Sequence, residues 1–287
     1  MTNTPHDALF KAAFGNPAHA SALLREILPA EVCEAINWST VVAVPGTFID
    51  PELRPRQTDL LFSVEIAGTP ALIYLLLEHL STVDNSMPLR VGDYVIRIWK
   101  RRAKREGLPL PLLVPMVICH ARGGWTGPRV LHELIEPPPA SLPGLASALP
   151  NLELQIFDLG GLDDDALRGW AMQAFPKLTL ILLRDARDPQ RVLQNFERWR
   201  ALFLEILTAE HGADAVAQVL RYIATVVGQM RFDEFHATIH AQLPEAEEIA
   251  MTIAEELHQR GLNQGRIETL TKMLTKLIKL KFGPLPP

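Results

Sequence analysis

TDLLFSVEIAGTPALIYLLLEHLS, residues 58–81, is the stretch that decides the fold. Thr58–Ile66 and Ala71–His79 are two extended apolar runs, and Ala67-Gly68-Thr69-Pro70 between them carries the Gly and Pro of a turn. The pattern predicts a β-hairpin. Its second run is almost wholly apolar, as in a strand covered on both faces. That run ends abruptly in Glu78, and Asp59 opens the first run. An antiparallel hairpin sets the start of one strand beside the end of its partner, so both carboxylates are expected at one end of the sheet. Buried carboxylates are costly unless paired or bound to a cation. An oxygen-rich site of this kind suits magnesium or manganese. Spacing alone leaves a second reading open, in which Asp59 marks a strand start and Glu78 a solvated strand end.

On the amino-terminal side, Val41–Ile49 is a candidate preceding strand. Ala8–Leu28 has apolar residues at helical spacing, split at Gly15-Asn16-Pro17 into two helices, with Asp7 as the expected N-cap. Pro29–Ile36 allows one further short turn. On the carboxyl side, Met87–Arg105 reads as a helix stopped by Gly107 and Pro109, and Leu112–His120 as a buried strand. Pro115 within that strand predicts an edge position or a bulge. Pro137–Pro150 reads as a proline-rich loop and Leu152–Leu159 as one more strand. Beyond Asp163 the expected helices are Asp164–Arg184, Pro189–His211, Asp214–Met230 and Glu245–Arg260.

The chain has 287 residues, 48% hydrophobic and 21% charged, enough for one large domain or two modest ones with a packed core. Two cysteines, Cys33 and Cys119, make neither a zinc cluster nor a disulfide framework, which favours a reducing, cytoplasmic compartment. The first residues lack a basic-then-apolar signal, and no apolar run approaches the roughly 20 residues of a membrane span. A net charge of -5 argues against nonspecific coating of nucleic acid. Distribution qualifies this, because RIWKRRAKR (97–105) holds six basic residues and no acidic one. Such a stripe is either a solvated helix face or a local DNA contact. Arg90, Tyr94, Arg97, Arg101 and Lys104 share one helical face, and Lys100 and Arg102 flank it. That face is open to two readings, a phosphate track or, for Arg90 and Tyr94, a structural role. His6 and Asp7 are candidates to close over the acidic pair. His120, His132 and His236 show no metal-ligand spacing and read as ordinary surface or core histidines. The basic tail 261–287 is open to three roles: packing on a partner helix, contacting DNA, or fraying.

Several of these pieces occur in a recognisable order. His6-Asp7-Ala8-Leu9-Phe10-Lys11, Leu28-Pro29-Ala30-Glu31-Val32, Thr58-Asp59-Leu60-Leu61, Tyr74-Leu75-Leu76-Leu77-Glu78-His79-Leu80-Ser81 and Met87-Pro88-Leu89-Arg90 follow one another, with Tyr94 and Ile98-Trp99 after them. The series resembles the YhgA-like transposases, also described as recombination-promoting nucleases of the PD-(D/E)XK superfamily. The resemblance implies an α/β, restriction-endonuclease-like mixed sheet flanked by helices over residues 1–185. A mainly helical part (186–260) and the basic amphipathic tail would follow. It also implies a metal-dependent DNA endonuclease linked to recombination or transposition, using magnesium or manganese. Asp59 and Glu78 would ligate the metal, with the His79 backbone carbonyl as a third oxygen. Cutting both strands makes a homodimer the expected assembly, with no membrane partner.

The third catalytic position falls on Leu80, where the family usually carries Gln. Residues 78 and 80 share a strand face, so that side chain would sit beside the metal and orient water or stabilise developing charge. Leucine does neither. A catalytically weakened DNA-binding or protein-interaction relative is therefore the alternative expectation.

Overall fold

The structure, a computed structural model, describes residues 4–44, 60–78, 84–121, 123–185, 188–227, 232–259 and 261–262. The chain divides into two compact units, Met1–Asn195 and Phe196–Pro287.

The first unit is built on a five-stranded mixed sheet: β1 (Ile36–Val44), β2 (Leu60–Ile66), β3 (Thr69–Glu78), β4 (Leu112–Cys119) and β5 (Gln155–Asp158), side by side in that order. β1, β2 and β3 are antiparallel neighbours, whereas β4 is parallel to β3 and β5 to β4. The β2–β3 turn is tighter than the sequence suggests. Ile66 already pairs with Thr69, leaving only Ala67 and Gly68 in the loop, with φ of 50° and 72°. Two positive φ values are what a two-residue type I′ turn demands, and that turn twists as the strands do. Pro70 belongs to β3, opposite Glu65.

The parallel β3–β4 pair is joined by α4 (Met87–Glu106), which covers one sheet face. Met87, Val91, Val95 and Ile98 recur every three or four residues along α4 and pack on Leu61, Leu72, Tyr74, Leu76, Leu113 and Val117. On the other face Phe62, Val64, Ile73, Leu75 and Ile118 are buried too, so the sheet is covered on both sides. The remaining helices of this unit are α1 (Pro5–Phe14), α2 (Pro17–Ile27), α3 (Ala30–Ala35), α5 (Pro143–Ala146), α6 (Asp164–Gly169), α7 (Ala174–Asp185) and α8 (Pro189–Gln194). α1 packs against α7. The first two helices are parted at Gly15, where a Cβ would lie 2.6 Å from the Lys11 carbonyl oxygen.

Five expectations need correction. The helix expected over Pro189–His211 is two, Pro189–Gln194 and Phe196–Thr208, parted by a turn at Asn195. The N-cap of α1 is Thr4, not Asp7: the Thr4 hydroxyl accepts from the Asp7 backbone N–H, and the Asp7 carboxylate accepts from Thr4 N–H, a reciprocal capping box. Pro115 marks no bulge, because β3 and β4 keep register through Tyr74↔Pro115, and β4 is an interior strand. The ladder to β5 starts one residue later, at Met116, so the proline falls where that flank has no partner yet. The first strand runs over Ile36–Val44 rather than beginning at Val41. The helix expected over Asp164–Arg184 is two, parted after Gly169, a residue that favours helix ends.

The second unit is helical, with α9 (Phe196–Thr208), α10 (Gly212–Val227), α11 (Phe232–Gln242) and helical residues 247–259. α9 contacts α10 and α11, and its Trp199, Phe196 and Phe203 are buried, the two phenylalanines stacked at 5.0 Å. α11 is a helix that the sequence pattern does not predict. Among the described residues, no helix is long and apolar enough to cross a membrane.

Candidate active site

The carboxyl ends of β3 and β4 lie side by side, because the two strands are parallel and Glu78 pairs with Cys119. β5 ends at the same edge, with Asp158 paired to Cys119. Open α/β sheets bind ligands at the carboxyl ends of their parallel strands. Glu78 is the last residue of β3. At the opposite flank, β2 begins at Leu60, paired with Leu75, three residues before Glu78. Asp59, His79 and Leu80 lie outside the described residues. Among the described residues no group of three or more His, Cys, Asp or Glu could hold a metal ion. Asp158, the other carboxylate at this edge, is occupied by the backbone: it accepts from Trp125 N–H at 2.7 Å and Gly160 N–H at 2.9 Å.

α4 leaves this edge carrying the basic stripe. Arg90, near its start, forms a 2.7 Å ion pair with Asp84 in the segment before the helix. Tyr94 sets its ring edge-on to Tyr74 of β3, centroids 5.9 Å apart, and so is tied to the core. Arg97 pairs with Asp93 at 2.9 Å and Arg102 with Glu106 at 2.7 Å, each one helical turn away. Lys100 and Lys104 are exposed and Arg101 is half-buried. Counting the cations of the stripe alone misses these acidic partners, Asp84, Asp93 and Glu106.

α1 begins at the same region. Asp7 is buried within the capping box. His6, half-buried in the first turn, places its ring 5.4 Å from that of His120, which follows Cys119 at the end of β4. His120 is 2% exposed, and its Nδ1 lies 2.9 Å from the Leu183 carbonyl oxygen of α7. Metal-ligand spacing does not single out His120. A different signal does: LLVPMVICH ends an apolar strand in one polar residue, as LIYLLLE does in Glu78.

The end of α7 is fixed by a buried ion cluster. Arg184 donates to both carboxylate oxygens of Asp185, to Asp164, and to the Leu162 carbonyl at 3.0 Å. Burial works against the guanidinium charge, but the hydrogen bonds and charges of Asp185 and Asp164 outweigh it and hold its pKa above the ordinary value. Leu183, whose carbonyl meets His120, is the residue just before this clamp.

Residues 4–213 match the family described as "Putative transposase, YhgA-like". The chain is 28% identical to the recombination-promoting nuclease RpnD of Escherichia coli O157:H7, over 90% of this chain and 95% of that protein. It is also 28% identical to the recombination-promoting nuclease RpnA of Escherichia coli K12, over 91% of this chain and 86% of that one. A third relative, the inactive recombination-promoting nuclease-like protein RpnE of the same strain, is 27% identical over 98% of this chain and 92% of its own. No solved structure matches the chain. A matched segment that takes in the whole sheet, the helix crossing between its parallel strands and both strand ends is more than a shared motif, and the chain belongs to the YhgA-like transposase family.

Proposed function

We propose that this protein hydrolyses DNA phosphodiester bonds in a recombination setting, with Asp59 and Glu78 as its acidic pair. The observation that carries this reading is kinship along nearly the whole chain with relatives named recombination-promoting nucleases. The position of Glu78 at the end of β3, beside the end of β4, supports it. Asp59, Glu78 and the His79 carbonyl form an all-oxygen donor set that fits magnesium or manganese. When bound, such a cation lowers the pKa of a coordinated water and polarises the scissile phosphate.

The chain's own residues do the rest. The two carboxylates supply the charge that concentrates a cation at the strand ends. Lys100 and Lys104, exposed on α4, with Arg97, Arg101 and Arg102 around them, meet backbone phosphates without reading sequence. Arg90 and Tyr94, held by Asp84 and Tyr74, form the base of that track. Leu80 offers neither a proton nor a hydrogen bond to the attacking water. Losing one donor of that kind costs about 3–4 kcal/mol of barrier.

A second reading, a binding relative with weakened cleavage, is favoured by Leu80 and by the similarity to a protein named as inactive. Nicking of supercoiled plasmid with magnesium, manganese or calcium tests the first. Magnesium or manganese is expected to support nicking that Asp59→Ala and Glu78→Ala each abolish, and equal nicking by all three proteins removes the proposal. Leu80→Gln separates the two readings. A gain of about a hundredfold or more marks a damaged nuclease. No gain, with metal binding intact by calorimetry, shows that Leu80 is not the limiting defect.

A further inference from the structure

His120 is a buried imidazole with one side of its ring already assigned. A carbonyl oxygen only accepts, so the 2.9 Å contact with Leu183 puts the proton on Nδ1. In the neutral ring, Nε2 is then the acceptor. Leu183 lies in the last turn of α7, whose final carbonyls have no partner within the helix, so the bond also caps that turn. The Arg184 clamp on Asp164 and Asp185 fixes the carbonyl in turn. The ring in contact with His120 is that of His6, which is half-buried where His120 is buried. The backbone at this point is one residue past Cys119, the ladder partner of Glu78.

A histidine serving only to join β4 to α7 would have its work done by Nδ1. It would not need a second, more accessible imidazole tilted against it at 56° at the strand ends. Resting on the DNA reading above, we propose that His6 contacts a phosphate of the DNA backbone at the carboxyl ends of β3 and β4, and that His120 is the positioning residue that holds it there. An imidazole N–H donates to a phosphate oxygen whether the ring is neutral or charged, so the contact needs no protonation event.

The test uses the full chain with 15N-labelled histidine and a short DNA duplex in calcium, where cleavage is suppressed. The expected result is that duplex binding moves the His6 imidazole signals, and that His120 shows the Nδ1–H tautomer before and after. His6→Ala is expected to weaken binding about tenfold with an unchanged melting temperature. His120→Asn is the informative variant, since its amide nitrogen occupies the place of Nδ1 and keeps the bond to Leu183 while Nε2 is lost. It should retain the melting temperature and weaken DNA binding severalfold, whereas His120→Ala should lower both.

If the duplex binds with His6 signals unmoved, or if His6→Ala and His120→Asn bind as the wild type does, the inference is overturned and His120 is a clamp alone. A chain that binds no duplex overturns it as well. The nuclease reading fails separately. Nicking lost in Glu78→Ala but intact in both histidine variants leaves that reading standing and removes the histidine contact. His6 shifts alongside nicking that survives Asp59→Ala and Glu78→Ala do the opposite, keeping the contact and removing the acidic pair as the cleavage site.

Discussion

α4 and the end of α7 both place arginines against carboxylates, and the two arrangements do different things. On α4 the Arg97–Asp93 and Arg102–Glu106 pairs are a third to a half exposed and span one helical turn. Pairs of this kind contribute only about 0.3–0.5 kcal/mol and weaken in salt, so a phosphate can displace the carboxylate at little cost. At α7, Arg184, Asp164 and Asp185 are nearly sealed from water, and the guanidinium is bound on three sides. These three buried charges hold one another in place, with the more exposed Arg191 3.6 Å from Asp185 beside them, and exchanging a buried one for a ligand would strand another. The lesson is that solvent exposure, not the count of ion pairs, separates a surface that can trade partners from a joint that cannot.

Breaking the joint should have the largest effect. Arg184→Ala removes the buried cation that Asp185 and Asp164 share, while Arg191 stays 3.6 Å from Asp185 at the exposed side, and is expected to lower stability in urea unfolding by about 3 kcal/mol. A midpoint unchanged from wild type would show the cluster to be structurally idle. The triple replacement Arg184→Met, Asp164→Asn, Asp185→Asn removes all three charges together and should recover much of that loss, which the same titration would record. Next comes Arg90→Ala, which releases Asp84 at the start of α4. The pair is only partly exposed, at 15% and 20%, so a loss of about 1–2 kcal/mol is expected in thermal or urea unfolding. The exposed stripe should affect binding rather than folding. Lys100→Ala with Lys104→Ala is expected to leave the unfolding midpoint unchanged. It should reduce the slope of log affinity for duplex DNA against log salt by about 2, measured by anisotropy. An unchanged slope would take those lysines off the phosphate path. The smallest effect belongs to Asp93→Asn, which removes one carboxylate from beside Arg97 and should change stability by less than about 0.5 kcal/mol while slightly tightening DNA binding.

The sheet is legible in the sequence where one signal dominates. The hairpin, the helix from Met87 and the strand from Leu112 each rest on a clear period and a clear stop, and all three are present, the hairpin over its described residues 60–78. The cap of α1 is ambiguous in one dimension because Thr4 and Asp7 are both good capping residues, and only the reciprocal bonds decide between them. The start of β1 escapes the pattern because its burial is irregular. Its register with β2 shifts between Asn37 and Val42, where the Thr40 hydroxyl accepts the Glu65 N–H instead of a backbone carbonyl doing so. At the candidate site, Glu78 can be singled out because a charge at the end of an apolar run is visible in one dimension. His120 ends an apolar run in the same way, but its partners are not visible there. Its significance comes from Leu183 and His6, which are 63 and 114 residues away in sequence and adjacent only after folding.

The two-residue turn at Ala67-Gly68 has a consequence for how this chain can change over evolutionary time. Successive residues of a strand point to opposite faces, so adding one residue to that turn and letting the ladder slip would move Ser63 and Glu65 to the side now filled by Phe62 and Val64. The connection from β4 to β5, more than thirty residues of turns and short helices, is under no such constraint. Insertions and deletions should therefore accumulate in that connection, while the length of the hairpin turn acts as a fixed spacer that descendants of this chain inherit unchanged.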